Sequence, residues 1–202
     1  MKTLYWFSRL AAESAARAFL SLRIVNGEKA VTEGGAVIAC NHASFLDPPL
    51  VAAAYKVEVH FLARNTLFKG LFGRLIRALN AVPVDRDQAD LTSIKTIIRT
   101  LRQGNRVLIF PEGTRTETGD LLEAKAGVGM LIAKSGVPVQ PVRLFGTYEA
   151  LPKGRGLRRH PVTAVVGDPI VFTKEELKVK SREAYQAIAD RVMKAIADLE
   201  ER

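Results

Sequence analysis

The run Ala36-Val37-Ile38-Ala39-Cys40, followed at once by Asn41-His42-Ala43-Ser44-Phe45-Leu46-Asp47-Pro48-Pro49, decides the fold. Five consecutive apolar residues, too short for a helix, read as a strand buried on both faces. Residues 44–55 then read as a helix, so a strand feeds a polar loop and the loop feeds a helix. The same cadence continues down the chain. Strand-like runs lie at 57–63, 81–84, 106–110, 137–145, near 162–166 and at 170–172. Between them, residues 66–79 keep helical spacing through Leu67, Leu71, Leu75 and Leu79, and residues 91–101 through Leu91, Ile94, Ile97, Ile98 and Leu101. A further helix is expected around 128–134 and a closing one from Glu175 nearly to the end. Strands separated by helices of this length need crossover connections, which make a largely parallel sheet covered by helices. The expectation is a single α/β domain, a largely parallel sheet flanked by helices, with an N-terminal amphipathic helix added: residues 1–22 form the helix and 23–202 the domain.

The chain of 202 residues suits one core of ordinary size. With 48% hydrophobic and 25% charged residues it is neither disordered nor collagen-like, and its single cysteine, Cys40, excludes an internal disulfide. The net charge of +9 calls for an anionic partner: nucleic acid, an acidic membrane or a phosphorylated substrate.

Residues 1–22 are apolar enough to be mistaken for a span, yet Lys2, Arg9, Glu13 and Arg17 interrupt them. A span needs about 20 nearly uncharged residues. On a helical wheel those four charges share one narrow stripe, leaving Leu4, Phe7, Leu10, Phe19 and Leu22 spread over the rest. Two readings fit, a helix packed on its own domain and a helix lying in the bilayer interface.

Chemistry gathers at strand ends, where open α/β sheets hold ligands. On one continuous helix His42 and Asp47 would stand about 140° apart, so they meet only if His42 lies in the loop and Asp47 in the first turn of the next helix. Ser44-x-x-Asp47 has the outline of a capping box, which supports that placement. It also supplies the plain alternative, a local cap. As a dyad, the carboxylate would fix the imidazole tautomer and leave the other nitrogen to accept a proton. The second cluster, Phe110-Pro111-Glu112-Gly113-Thr114-Arg115, also follows a strand. There Gly113 permits a tight turn and Arg115 presents a planar fork for phosphate or carboxylate. Lys125, at the start of a helix, adds a second cation, and Arg86 follows the 81–84 strand.

Taken together and in order, Asn41-His42-Ala43-Ser44-Phe45-Leu46-Asp47, Val82-Pro83-Val84-Asp85-Arg86, Phe110-Pro111-Glu112-Gly113-Thr114-Arg115 and Val137-Pro138-Val139-Gln140-Pro141-Val142 resemble the glycerolipid acyltransferases, most nearly the bacterial 1-acyl-glycerol-3-phosphate acyltransferases. The resemblance runs from about Ile24 to Phe172. It implies transfer of an acyl group from acyl-CoA or acyl-carrier protein to the free hydroxyl of a lysophospholipid. It matches His42 to a general base and Asp47 to the residue that orients it. Glu112, Gly113, Arg115, Arg86 and Lys125 match positions that bind the phosphorylated acceptor. Two positions depart from the family pattern, Asn80 where glycine is usual and Gln140 where an aliphatic residue is usual; both are peripheral to the implied chemistry, and Gln140 either alters an acyl-binding wall or points elsewhere.

A thioester is already activated, so such an enzyme needs a base and good positioning rather than a nucleophile of its own, and no cofactor or metal is expected. The expected partners are a lysophospholipid, the acyl donor and an anionic membrane surface, with no nucleic acid, and the expected place is the cytoplasmic face of the cell membrane, peripheral or monotopic. The cation-only runs Arg64, Lys69, Arg74, Arg77 and Lys153, Arg155, Arg158, Arg159 read either as a solvated helix face and an exposed loop or as surfaces for lipid headgroups, the second also for an acidic carrier protein or the phosphates of coenzyme A. Other classes fare worse. There is no Gly-x-Ser-x-Gly elbow and no phosphate-binding loop around Lys134-Ser135. His60 and His160 read as structural and loop residues. The remaining alternatives are an acyltransferase for another lysolipid, or a non-catalytic basic protein that binds membranes or nucleic acid.

Overall fold

The structure is a computed structural model that describes residues 2–84, 91–178 and 180–201. The elements are α1 (Lys2–Leu20), β1 (Arg23–Val25), β2 (Ala36–Cys40), α2 (Asp47–Ala54), β3 (Val59–Arg64), α3 (Gly70–Ala78), β4 (Ala81–Val84), α4 (Leu91–Arg102), β5 (Arg106–Ile109), α5 (Ala126–Ser135), β6 (Val139–Phe145), α6 (Thr147–Ala150), β7 (Thr163–Val166), α7 (Lys174–Lys178) and α8 (Arg182–Ala197). Among the described residues one sheet runs in the order β1-β7-β6-β2-β5-β3-β4. β6, β2, β5, β3 and β4 are mutually parallel, while β7 is antiparallel to β6 and carries β1 parallel to itself. The largely parallel α/β sheet read from the sequence is therefore present, with a reversed pair on one edge.

β2 lies at the centre, and all five of its residues are fully buried. Alternation along the strand divides them between two cores. Ile38 and Cys40 join α1, α2 and β7 on one face; Val37 and Ala39 join α4, α5 and α8 on the other. That two-sided burial is why the strand reads as an unbroken apolar run rather than an alternating one. The registers Ala39↔Ile109 and Ala39↔Pro141 place the carboxyl end of β2 between the carboxyl end of β5 and the middle of β6.

Several boundaries differ from the reading above, each for a local reason. The 66–79 segment begins as a 3₁₀ turn at Asn65–Leu67, and α3 starts only at Gly70, whose φ of 59° is left-handed. The closing helix is two helices, because the Ser181 hydroxyl accepts from the Ala184 N–H at 3.1 Å and starts α8 afresh. In place of a strand at 170–172 there is one backbone bridge between Ile170 and Val139. The three-residue β1 is too short to carry a period. Asn80 has φ 64°, so it occupies the left-handed turn that glycine favours, in a conformation asparagine tolerates better than most residues.

The N-terminal helix is turned opposite to the usual amphipathic arrangement. Arg9 points inward, its Nε donating to the carbonyls of Ala52 and Tyr55 at 3.1 and 2.9 Å and its Nη2 to that of Ala53 at 2.8 Å. One guanidinium thereby bonds three carbonyls at the end of α2, of which that of Ala52 also accepts from Tyr55 N–H at 3.2 Å. Tyr5, whose hydroxyl accepts from the Val59 N–H at 2.9 Å, Ala16 and Leu20 complete the buried side. Leu4, Phe7, Leu10 and Phe19 face outward, as do Leu71, Phe72 and Leu75 of α3. No helix among the described residues is long and apolar enough to cross a membrane.

Candidate active site

The loop leaving β2 brings His42 and Asp47 together as the spacing required, with Asp47 the first residue of α2. Asp47 is completely buried, and its Oδ2 lies 2.8 Å from His42 Nδ1 while accepting from the N–H groups of Ala43 and Ser44, both at 2.7 Å. The bond from Ser44 is half of a capping box. The other half is diverted, since the Ser44 hydroxyl accepts from Leu46 N–H at 3.2 Å and donates to the Leu151 carbonyl at 2.9 Å. An ionised carboxylate only accepts, so Nδ1 carries the proton and the Nε2 lone pair is free to act as a base. The imidazole is held a second way, stacked on Phe110 with centroids 3.8 Å apart and planes 10° apart. Asn41 anchors the loop to β6, exchanging hydrogen bonds with the backbone of Leu144 at 3.0 and 2.8 Å.

The neighbouring loop, after β5, delivers the second cluster. Gly113 closes its turn with φ 72° and an N–H bond to the Phe110 carbonyl at 3.0 Å. Glu112, matched to acceptor binding in the sequence, does not face the groove. It is only 1% exposed; Oε1 accepts from His42 N–H at 2.8 Å and Oε2 from Leu122 N–H at 3.2 Å. Burial, partly offset by those two bonds and reinforced by Asp47, raises its carboxyl pKa to about 7. Arg115 does reach the groove, its guanidinium carbon 3.7 Å from the centre of the Phe45 ring. Lys125 precedes α5, its N–H bonded to the Pro111 carbonyl at 2.9 Å and its side chain beside Gly113. Arg86 lies outside the described residues.

His42, Phe45, Phe110 and Arg115 form one end of a groove of about 790 Å³. The groove continues between α1, α2, β3 and α3, past Pro48, Phe61, Leu62, Leu67, Phe72 and Ile76. Its walls are largely apolar, interrupted by Ser8, Arg9, Arg64 and Thr66, and the end at His42 and Arg115 is polar, a shape that suits an amphiphile with an anionic group. Neither His60 nor His160 lines it. Cys40 is fully buried, and burial pushes its thiol well above the ordinary range, which leaves no thiolate for nucleophilic chemistry. Gln140 does not line the groove. Its amide accepts from Val31 N–H and Tyr55 Oη and donates to the carbonyls of Lys29 and Gly167, a fully satisfied buried tie.

Phe45, Phe110 and Thr116 escaped the sequence reading. Phe110 had a signal, since a residue at the end of β5 must lie beside one at the end of β2 once those strands pair. Phe45 and Thr116 had none that local pattern could supply.

Residues 21–144 match the family model described as Acyltransferase. The chain is 28% identical over 194 residues to the 1-acyl-sn-glycerol-3-phosphate acyltransferase of Bacillus subtilis, covering 93% of this chain and 94% of that relative. It is 34% identical over 140 residues to a protein of the same name from Cocos nucifera, covering 67% of this chain but only 46% of the plant protein. The fold is similar to the crystal structure of the 1-acyl-sn-glycerophosphate (LPA) acyltransferase PlsC from Thermotoga maritima, with a TM-score of 0.73, 27% identity and coverage of 98% of this chain and 83% of that one.

Proposed function

This chain belongs to the acyltransferase family, and from that premise we propose that it acylates the free hydroxyl of 1-acyl-glycerol-3-phosphate to give phosphatidic acid, with acyl-CoA or acyl-carrier protein as donor. The observation that carries the reading is the convergence, at the head of an apolar groove, of an imidazole oriented by a buried carboxylate and the Arg115 guanidinium. Similarity to the Bacillus and Thermotoga proteins supports the same acceptor.

In this mechanism Arg115, with Lys125 and Arg86 as further cations, holds the acceptor phosphate and sets its hydroxyl at His42. Nε2 takes the hydroxyl proton as the oxygen attacks the thioester carbonyl carbon. Asp47 stabilises the imidazolium that forms. The tetrahedral intermediate collapses with cleavage of the C–S bond, and the proton passes from Nε2 to the departing thiolate, leaving an ester and a thiol. General-base help of this kind is worth roughly 10²- to 10⁴-fold. The donor arrives activated, so the reaction uses no cofactor. Acyl chains occupy the stretch of groove past Phe61, Leu67 and Phe72.

The outward apolar faces of α1 and α3 seat the protein peripherally on the cytoplasmic face of the membrane, with Lys69, Arg74 and Arg77 toward anionic headgroups. The loop carrying Lys153, Arg155, Arg158 and Arg159 is rooted beside the site. Leu151 O accepts from Ser44 Oγ, and Lys153 Nζ lies 2.6 Å from Glu117 Oε1. Its cations serve the acidic donor.

The test is product analysis by mass spectrometry. Purified protein on mixed anionic vesicles is given 1-acyl-glycerol-3-phosphate and each donor in turn. Phosphatidic acid from at least one donor is expected, and none from either contradicts the reading.

A further inference from the structure

The backbone of His42 is gripped on both sides by the loop that carries Arg115. Its N–H donates to Glu112 Oε1 at 2.8 Å, and its carbonyl accepts from Thr116 N–H at 2.9 Å. Glu112 and Thr116 bracket Arg115 in sequence, so the segment that presents the guanidinium also closes on the peptide that presents the imidazole. Each end of the bracket is itself pinned. The second Glu112 oxygen takes Leu122 N–H at 3.2 Å, and the buried Thr116 hydroxyl accepts from the N–H groups of Thr118 and Gly119 at 3.3 and 3.1 Å.

A carboxylate that ligated an anionic acceptor would be poorly placed, because like charges repel and its oxygens would have to face the groove. Glu112 does the reverse, directing both oxygens at part-buried backbone donors, the arrangement that makes a buried carboxylate tolerable. We infer that Glu112, with Thr116, is a positioning residue that fixes the distance between the His42 base and the Arg115 phosphate fork, and that it does not touch the acceptor. The inference rests on the function proposed above for its kinetic meaning, but the clamp is a property of the fold.

A clamp and a ligand separate in steady-state kinetics. Glu112→Gln keeps the size and one acceptor oxygen; Glu112→Ala keeps neither. For a clamp, kcat falls about tenfold in the glutamine variant and further in the alanine variant, while the KM for 1-acyl-glycerol-3-phosphate stays within about threefold of the parent. For a ligand, acceptor KM rises about tenfold or more with kcat at saturation preserved, and that result overturns the inference. If the alanine variant does not fold, the glutamine variant carries the comparison. A second readout needs no activity. The His42 amide proton, bonded to a carboxylate in the parent, moves upfield in the ¹H–¹⁵N NMR spectrum of Glu112→Gln. An unmoved His42 amide refutes the clamp even if the parent turns over. Absence of turnover with a moved amide refutes the function and leaves the clamp standing.

Discussion

The imidazole of His42 and the ring of Phe110 lie face to face, with centroids 3.8 Å apart. With Asp47 bonded at Nδ1, the imidazole is fixed in plane and in tilt, so its Nε2 points along one direction only. The two aromatic groups belong to different strand ends and meet because β2 and β5 pair in parallel with Ala39 opposite Ile109.

Removing the stack tests its contribution to pre-organisation. Phe110→Leu preserves apolar volume while abolishing the ring contact. The expected outcome is a fall in kcat of about tenfold with acceptor KM little changed, because ring orientation acts on the reacting step. Steady-state kinetics at saturating acceptor reads it, and an unchanged kcat removes Phe110 from the account.

Arg115 sets acceptor selectivity in this account. Arg115→Ala is expected to raise the KM for 1-acyl-glycerol-3-phosphate by about tenfold or more, while turnover of monoacylglycerol, which lacks the phosphate, changes little. Phe45→Ala, which removes the aromatic face under the guanidinium, shifts KM in the same direction by less. Equal losses with both acceptors contradict a phosphate role.

Glu112 makes stability depend on pH. Its carboxyl is raised from an ordinary 4.5 to about 7 by burial, so the folded state holds that proton more tightly than the unfolded chain. Stability tied to this proton is complete below about 4.5 and lost as pH rises to about 7. Relative to Glu112→Gln, the parent therefore loses stability across that interval, and the difference is flat above it. Urea denaturation of both proteins over a pH series measures the gap, and a pH-independent difference rules out the titration.

The outward faces of α1 and α3 are expected to hold the protein on lipid. Phe7→Ser combined with Leu71→Ser removes two exposed apolar groups that make no core contact. Partitioning onto vesicles containing phosphatidylglycerol should fall at least tenfold, with the melting temperature within a few degrees of the parent. Vesicle flotation reads the effect, and undiminished binding moves the contact elsewhere.

Much of the fold was legible because β2 is buried on both faces and so announces itself without alternation. The dyad was legible for a related reason, since only a loop position for His42 and a first-turn position for Asp47 bring a five-residue spacing together. The orientation of α1 was not. A helical wheel sorts charged from apolar residues but does not say which side turns inward, and here Arg9 turns inward because the carbonyls ending α2 need donors. The direction of the Glu112 side chain was hidden for a similar reason. The string Glu-Gly-Thr-Arg fixes the turn, whereas the direction of the glutamate side chain is set by the unpaired N–H groups of His42 and Leu122, residues 70 and 10 positions away. The break before α8 carried a signal in Ser181, three residues ahead of the N–H it caps.

In the mechanism proposed, His42, oriented by Asp47, is the base for acyl transfer. The most direct measurement is turnover of 1-acyl-glycerol-3-phosphate by His42→Ala, assayed on vesicles beside the parent with the bound fraction of protein determined in the same samples. A loss of roughly 10²-fold or more in kcat is expected, with the bound fraction unchanged. Turnover equal to the parent's in that variant would contradict it.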